Sequence, residues 1–241
     1  MNQGRKLEIN CDLGEGVAWE GDIFPWIDRA SIACGGHTGD EESILSSLSF
    51  CKQFGVKAGA HPSYPDRENF GRISLSIKDD ELIGSLRNQM QLFIKIAKQN
   101  KVQMEHIKFH GALYNDAAKS PHLAKVLVSM IRKEFPTTWL LVPPHSELAR
   151  VAILKKQPIK LEVFGDRRYE DDYRLQSRSI DGSLLKTYQE IDYQLVGLLE
   201  KGIVISSSGK ELPIKAETLC FHGDNPEILN FLPLLRAKHW Q

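Results

Sequence analysis

Short apolar runs alternate with longer stripes of helical spacing along the whole chain. The run Leu7 to Cys11 is followed by the polar loop Asp12-Leu13-Gly14-Glu15-Gly16. Ala30 to Cys34 precedes Gly35-Gly36-His37-Thr38-Gly39-Asp40, and Val56 to Ala60 precedes His61-Pro62-Ser63-Tyr64-Pro65-Asp66. Later runs end near Lys108, Val142, Phe164 and Phe221. Between the runs, apolar residues recur three and four apart, the spacing of one helix face. Ile44, Leu45, Leu48 and Cys51 follow Asp40 as N-cap. Leu82, Ile83, Leu86, Met90, Phe93, Ile94 and Ala97 form a longer stripe ended by Asn100. Ser120-Pro121 starts a helix burying Leu123, Val126, Leu127, Met130 and Ile131. Leu184, Tyr188, Ile191, Leu195 and Leu198 line another. Asn225-Pro226 is expected to open the last helix, and Pro233 to kink or break it. Gly202 to Ala216, with its Ser-Ser-Ser-Gly, has the pattern of a hairpin insertion.

Strands alternating with helices predict a parallel sheet. No Gly-rich dinucleotide motif follows the first strand, and about seven units suit closure better than an open sheet. The expected architecture is α/β: a distorted (β/α) barrel of about seven parallel strands, a single domain over 1–241. Lys plus Arg and Asp plus Glu number 31 each, so no overall field favours nucleic acid or an anionic membrane. No apolar segment approaches the ~18 residues that span a bilayer, and Met1-Asn2-Gln3-Gly4-Arg5-Lys6 leads into the first run without an apolar signal region. The four cysteines form no C-x-x-C pair. Free thiols in a reducing cytoplasm are expected.

Active sites of parallel α/β folds lie at the carboxyl ends of the strands. The ionisable residues gather in those loops: Asp12 and Glu15, His37 and Asp40, His61 and Asp66, Asp166 and Arg167, His222 and Asp224. In Met104-Glu105-His106-Ile107-Lys108-Phe109-His110, a period of two puts His106, Lys108 and His110 on one face. That face should point into the barrel, where burying them is costly unless they are paired or bind something. A Lys there can hold an anionic oxygen, and a His can move protons near neutral pH. Capping alone explains Asp40, Ser120 and Asn225, and Asp166-Arg167 could be a plain ion pair holding a loop. Asp12, His37, His61 and His110 could ligate Zn or a similar ion, though no H-E-x-x-H signature accompanies them. Ser206-Ser207-Ser208-Gly209-Lys210 lacks the first Gly and final hydroxyl of a phosphate-binding loop.

Asn10-Cys11-Asp12-Leu13-Gly14-Glu15, Ile32-Ala33-Cys34-Gly35 with His37 and Gly39-Asp40, and Gly59-Ala60-His61-Pro62-Ser63-Tyr64-Pro65-Asp66 resemble the LamB/YcsF family. So do Phe70-Gly71-Arg72, His110-Gly111-Ala112-Leu113-Tyr114-Asn115, Asp166-Arg167 with Tyr169, and His222-Gly223-Asp224. The match runs in order from about residue 7 to 235. Gly36 and Thr38 stand where the family usually has Phe and Ala, and Gly165 where it has Ala. The resemblance implies a barrel similar to polysaccharide deacetylase and glycoside hydrolase barrels. It also implies ATP-coupled hydrolysis of 5-oxo-L-proline to L-glutamate, with ATP (and Mg) as co-substrate and two further subunits resembling allophanate-hydrolase and urea-carboxylase accessory proteins.

On that expectation Asp12, His61, Lys108 and His110 are the catalytic candidates. Glu15, His37, Asp166, Arg167, His222 and Asp224 are the substrate-binding ones. Two rival expectations stand beside it: a metal-dependent deacetylase or amidohydrolase acting alone, and a non-catalytic 5-oxoproline-binding scaffold.

Overall fold

The strands are β1 (Glu8–Leu13), β2 (Arg29–Ala33), β3 (Lys57–His61), β4 (His106–Ile107), β5 (Trp139–Val142), β6 (Ile159–Phe164), β7 (Ile203–Ile205), β8 (Glu211–Pro213) and β9 (Thr218–His222). Seven of them, all parallel, close into a barrel in the order β1-β2-β3-β4-β5-β6-β9. The other two, β7 and β8, form the antiparallel hairpin expected between Gly202 and Ala216. The computed structural model describes residues 7–240; the expected signal-free lead Met1 to Lys6 lies outside the described residues. Regular pairing of β4 is short, but Lys108 N donates to Ala60 O (3.0 Å) and His110 N to Pro62 O (2.9 Å), carrying the strand up to the mouth.

The helices are α1 (Glu20–Ile23), α2 (Glu41–Phe54), α3 (Asp79–Gln99), α4 (Gly111–Lys119), α5 (Pro121–Glu134), α6 (Glu147–Leu154), α7 (Tyr188–Val196) and α8 (Ile228–His239). Asp40 caps α2 through a reciprocal bond with Ser43, and Ser120 caps α5 by accepting from Leu123 N. Four expectations need correction. Leu45 is 43 % exposed, because Ile44, Leu48 and Cys51 already fill the inner face of α2. Leu184 precedes α7 and bridges Arg167; Thr187 is the cap, in a capping box with Glu190. The last helix begins at Ile228, not at Asn225-Pro226; Asn225 Oδ1 accepts from Glu227 N in the turn before it, and its Nδ2 serves the site described below. Pro233 lies inside α8 without ending it, flanked by the buried Phe231, Leu232 and Leu235 that hold the helix to the barrel.

Strand alternation separates two environments. Ile9, Cys11, Leu13, Ile107 and Phe109 are fully buried in the apolar core, whereas the intervening residues fill the barrel with charge in layers. At the floor, Glu8 meets Arg29 (2.8 Å), Lys57 (2.5 Å) and Lys160 (2.9 Å). Burial would raise the Glu8 carboxyl, but these three cations outweigh it and hold it well below the usual range. One layer up, His106 lies between Arg29 and Ser31 (Nε2 to Oγ 3.1 Å), far below the mouth. Its fellow face residues Lys108 and His110 occupy the middle and the rim. All four cysteines are buried free thiols, and no helix among the described residues is long and apolar enough to cross a membrane.

Candidate active site

The loops after β1, β2 and β3 are each fixed by a local support. Glu20 at the start of α1 accepts from Gly14 N (3.0 Å) and Glu15 N (2.8 Å), turning Glu15 inward. The loop after β2 needs glycine at Gly39, whose φ is +92° and where a Cβ would meet the Ala33 carbonyl group. Buried Gln89 on α3 accepts from Ser63 N and donates to Ser63 O (both 2.9 Å), fixing the segment after His61. A Cβ at Gly36 would strike the Ser63 and Gln89 side chains, so the bulkier family residue would require this clamp to move. Asp66 accepts from Asn69 and is a loop-holding residue, and Asp40 is spent on capping outside the cavity.

These supports bring Glu15, His37, His61 and His110 together. The His37 and His110 rings stack at 3.6 Å and 2°, with Phe70 edge-on to both. His61 Nδ1 lies 2.8 Å from Lys108 O, and His110 Nε2 lies 3.0 Å from Phe70 O. A carbonyl only accepts, so each of those nitrogens carries its ring's hydrogen. The remaining His61 Nε2 and His110 Nδ1 therefore present lone pairs to each other across 3.0 Å. Glu15 Oε1 stands 3.1 Å from His37 Nε2, 3.4 Å from His110 Nδ1 and 3.9 Å from His61 Nε2. Such a group repels itself unless a proton or a cation lies within it. Burial pushes the Glu15 carboxyl well up, Asp12 adding to it. Burial also pushes His37 down to about 3, and His61 and His110 well down.

The four donor atoms lie within 4.8 Å of one another and could hold a metal ion. Zn ligands at ~2.0–2.1 Å in a tetrahedron are about 3.4 Å apart, which these spacings bracket. Asp12, expected in that set, is not among the four: its Oδ1 is 2.8 Å from Lys108, and its Oδ2 stands 3.5 Å from His61 Nε2. Glu15 takes the carboxylate place instead.

Lys108 is enclosed at the barrel centre. Its ammonium donates to Asp12 Oδ1 (2.8 Å), Cys220 Sγ (3.0 Å) and Asn10 Oδ1 (3.4 Å), which uses its three hydrogens, and Glu162 Oε1 lies 3.0 Å away. Burial alone would lower its pKa, but Asp12, Cys220 and Glu162 raise it, and the charge stays. Glu162 is absent from the sequence-based set. Its signal was available, because in Ile159-Lys160-Leu161-Glu162-Val163-Phe164 a period of two places Lys160, Glu162 and Phe164 on one face.

Across the mouth, Asp166 Oδ1 is 2.8 Å from His222 Nδ1, while Oδ2 accepts from His222 N (3.0 Å) and Asn225 Nδ2 (3.2 Å). The Asp166 carboxyl stays below its usual range because these bonds outweigh burial. His222 Nδ1–H donates to the carboxylate, leaving Nε2 with a lone pair toward the cavity. Arg167 forms no ion pair with Asp166 among the described residues; it donates to Gln176 O (2.5 Å). Asp224 binds Arg178 (2.7 Å) and Arg72 (2.6 Å). Arg178 also escaped the sequence-based set, since it lies in the middle of a polar connection with no motif. A Cβ at Gly165 would run into the Phe221 ring, so the alanine usual in the family would require that ring to shift.

A cavity of about 460 Å³ is lined by Asp12, Glu15, Lys108, His110, Arg167 and His222 among others. His37, His61, Asp166 and Asp224 back these residues. An outer cavity of about 750 Å³ shares Arg72, Tyr114 and Phe164 with it.

A model of the LamB/YcsF family matches residues 7–240. A Haemophilus influenzae (strain PittEE) protein named as a subunit of 5-oxoprolinase is 36% identical over 227 residues, covering 94% of this chain and 93% of that protein. A Histophilus somni protein of the same name is 34% identical over 234 residues, 97% and 95% of the two chains. Among solved structures, a lactam utilization protein from Thermus thermophilus superposes with a TM-score of 0.88 at 28% identity, over 97% and 96% of the chains. A chitinase of Pseudoalteromonas aurantia, at 8% identity, shares the barrel alone, with a TM-score of 0.55 over 96% and 99% of the chains.

Proposed function

The chain belongs to the LamB/YcsF family, and on that premise we propose that it is the lactam-binding subunit of an ATP-dependent 5-oxoprolinase. The observation that supports this most is one small cavity lined by two carboxylates, a buried ammonium, guanidinium groups and two imidazoles contributed by separate strands and their loops. A five-membered lactam is a resonance-stabilised amide, so ring opening needs an activated carbonyl, a water nucleophile and a proton for the departing nitrogen. His222, oriented by Asp166, is the base that takes the proton of water. Lys108 holds Asp12 in place, and the Glu15–His110 pair carries a proton that can pass to the ring nitrogen.

In the assembled enzyme with its two further subunits, ATP would supply the activation of the lactam carbonyl, and none of the residue roles above is routed through it. The Ser206 to Lys210 segment does not fit a phosphate. Its backbone donors are spent within the hairpin, Ser206 N to Lys210 O and Gly209 N to Ser206 O (both 2.9 Å), while Ser207 N donates to Tyr169 O (2.7 Å). The test is glutamate formation from 5-oxoproline and ATP, with this chain alone and then with the partner subunits. Turnover only in the reconstituted enzyme, lost with His110→Ala, is the expected result. Undiminished turnover by His110→Ala would remove the cavity from the mechanism.

A second reading, a metal-dependent hydrolase, is favoured by the facing lone pairs of His61 and His110. Glu15, His37, His61 and His110 would hold a divalent ion, which would supply Lewis-acid polarisation of a carbonyl or a more acidic water. Titration of the metal-free protein with Co²⁺, followed by visible absorption and calorimetry, is expected to show one equivalent bound. Glu15→Gln should weaken it by about a hundredfold. No binding by the wild type, or unchanged binding by the variant, excludes this ligand set.

A further inference from the structure

Three guanidinium groups line the 460 Å³ cavity: Arg72 from the loop after β3, Arg167 just after β6, and Arg178 from the connection leading to α7. One carboxylate, Asp224, serves two of them. Arg178 reaches it through both terminal nitrogens (2.7 and 3.2 Å), and Arg72 through one (2.6 Å). Arg167 has no such partner. It is 6% exposed, and among the described residues its Nε is buried without a hydrogen-bond partner and its guanidinium makes one hydrogen bond, to the Gln176 carbonyl. Its sequence neighbour Asp166 is committed to His222 and Asn225. Burial and the charge of Arg178 push the Arg167 pKa down to about 10, so the group remains cationic at neutral pH.

Lys108 adds no unpaired positive charge to this account, since Asp12 and Glu162 already flank it. Three guanidinium charges in this wall therefore face two carboxylates, Asp224 and the buried Asp166, which acts on Arg167 and Arg178 without pairing with either, so one positive charge is left over. A buried guanidinium without a direct ion pair is costly, and a planar fork with an idle N–H is complementary to a carboxylate. Exposure grades outward along the wall. Arg167 is buried, whereas the Arg178 and Arg72 side chains are 28% and 42% exposed. Arg167 is thus a fixed anchor, and Arg178, held from behind by Asp224, is the outer group beside it.

We propose that Arg167 and Arg178, with Arg72 at the rim, bind the carboxylate carried by the ring of the lactam substrate, leaving its amide to face His110, Glu15 and His222. The proposal rests on the lactam-opening function. It makes the arginine wall the determinant that separates a carboxylated lactam from a plain one.

The experiment is calorimetric titration of the whole protein with 5-oxoproline, with 2-pyrrolidinone (the same ring without the carboxylate), with acetate and with inorganic phosphate. The wild type is expected to bind 5-oxoproline at least about tenfold more tightly than 2-pyrrolidinone. Arg167→Met and Arg178→Met should each weaken 5-oxoproline about tenfold or more and leave 2-pyrrolidinone unchanged. Arg178, part-exposed, covers the case in which the Arg167 variant fails to fold. Equal 5-oxoproline affinity in wild type and both variants overturns the cradle while leaving the lactam function standing. Phosphate binding more tightly than either carboxylate also overturns it, in favour of a phosphate site. Arg167-dependent binding of acetate but of neither lactam sustains a carboxylate cradle and sinks the lactam function. Binding of none of the four probes sinks both.

Discussion

Asp166→Asn is expected to lower turnover of the assembled enzyme by about two to four orders of magnitude without disturbing the fold. The cause is a tautomer. Asp166 Oδ2 accepts from both His222 N and Asn225 Nδ2, so an amide introduced here must place its oxygen at that position. Its NH₂ then faces His222 Nδ1, which must accept rather than donate. The ring hydrogen moves to Nε2, and the lone pair that faces the cavity is lost. The pH profile should report the same change. Burial holds His222 below its ordinary value of 6.5 despite Asp166. Wild-type kcat should therefore fall on the acid side as the ring takes up a proton, and the variant should lose that limb. Steady-state kinetics and the nitrogen shifts of His222 check this together. A variant kcat within about threefold of wild type would dismiss His222 as the base.

Lys108→Met is expected to destabilise the protein by about 3–5 kcal/mol near neutral pH. Methionine fills much of the same volume, so the cost is electrostatic. Asp12 and Glu162 lose the ammonium that lies 2.8 and 3.0 Å from them, deep in the barrel. Burial already raises the Glu162 carboxyl against the pull of Lys108. A carboxyl whose folded pKa is raised contributes stability below its unfolded pKa and loses it as pH rises through the folded value. Removing Lys108 raises Glu162 further, so the variant should be closest to wild type in acid and fall away toward alkaline pH. Adding Glu162→Gln should recover part of the loss, since one buried charge is then gone. Urea unfolding of the four proteins of this cycle at pH 5 and pH 8 measures both effects. A Lys108→Met midpoint equal to wild type at pH 8 would mean that the barrel centre is far better solvated than its burial indicates.

Parts of this architecture were legible residue by residue. Apolar runs, caps such as Asp40 and Ser120, and the hairpin around Ser206 to Gly209 all have local physical causes, and each stands where those causes place it. The errors were local rules overridden by packing. Asn225 has the residue type of a cap, yet its Oδ1 serves only the turn before α8, through Glu227 N, while its Nδ2 is used by Asp166 and Leu185. Pro233 is a helix breaker held inside a helix by the apolar contacts around it. At the site, the alternation in β4 and its extension was enough to set His106, Lys108 and His110 facing inward. It could not tell the floor from the rim, so His106 looked as close to the chemistry as His110.

The chain by itself determined the number of strands, their alternation with helices and the end of the barrel at which ionisable groups collect, because strand and helix periods are properties of neighbouring residues. Only closure of the barrel decided the partnerships: Glu15 rather than Asp12 among the histidines, Glu162 beside Lys108, and Asp224 shared by Arg72 and Arg178. The reason is electrostatic and geometric. A charge pair is set by distances of a few ångströms across the barrel, and those distances follow from strand register and loop anchoring, which no stretch of neighbouring residues encodes.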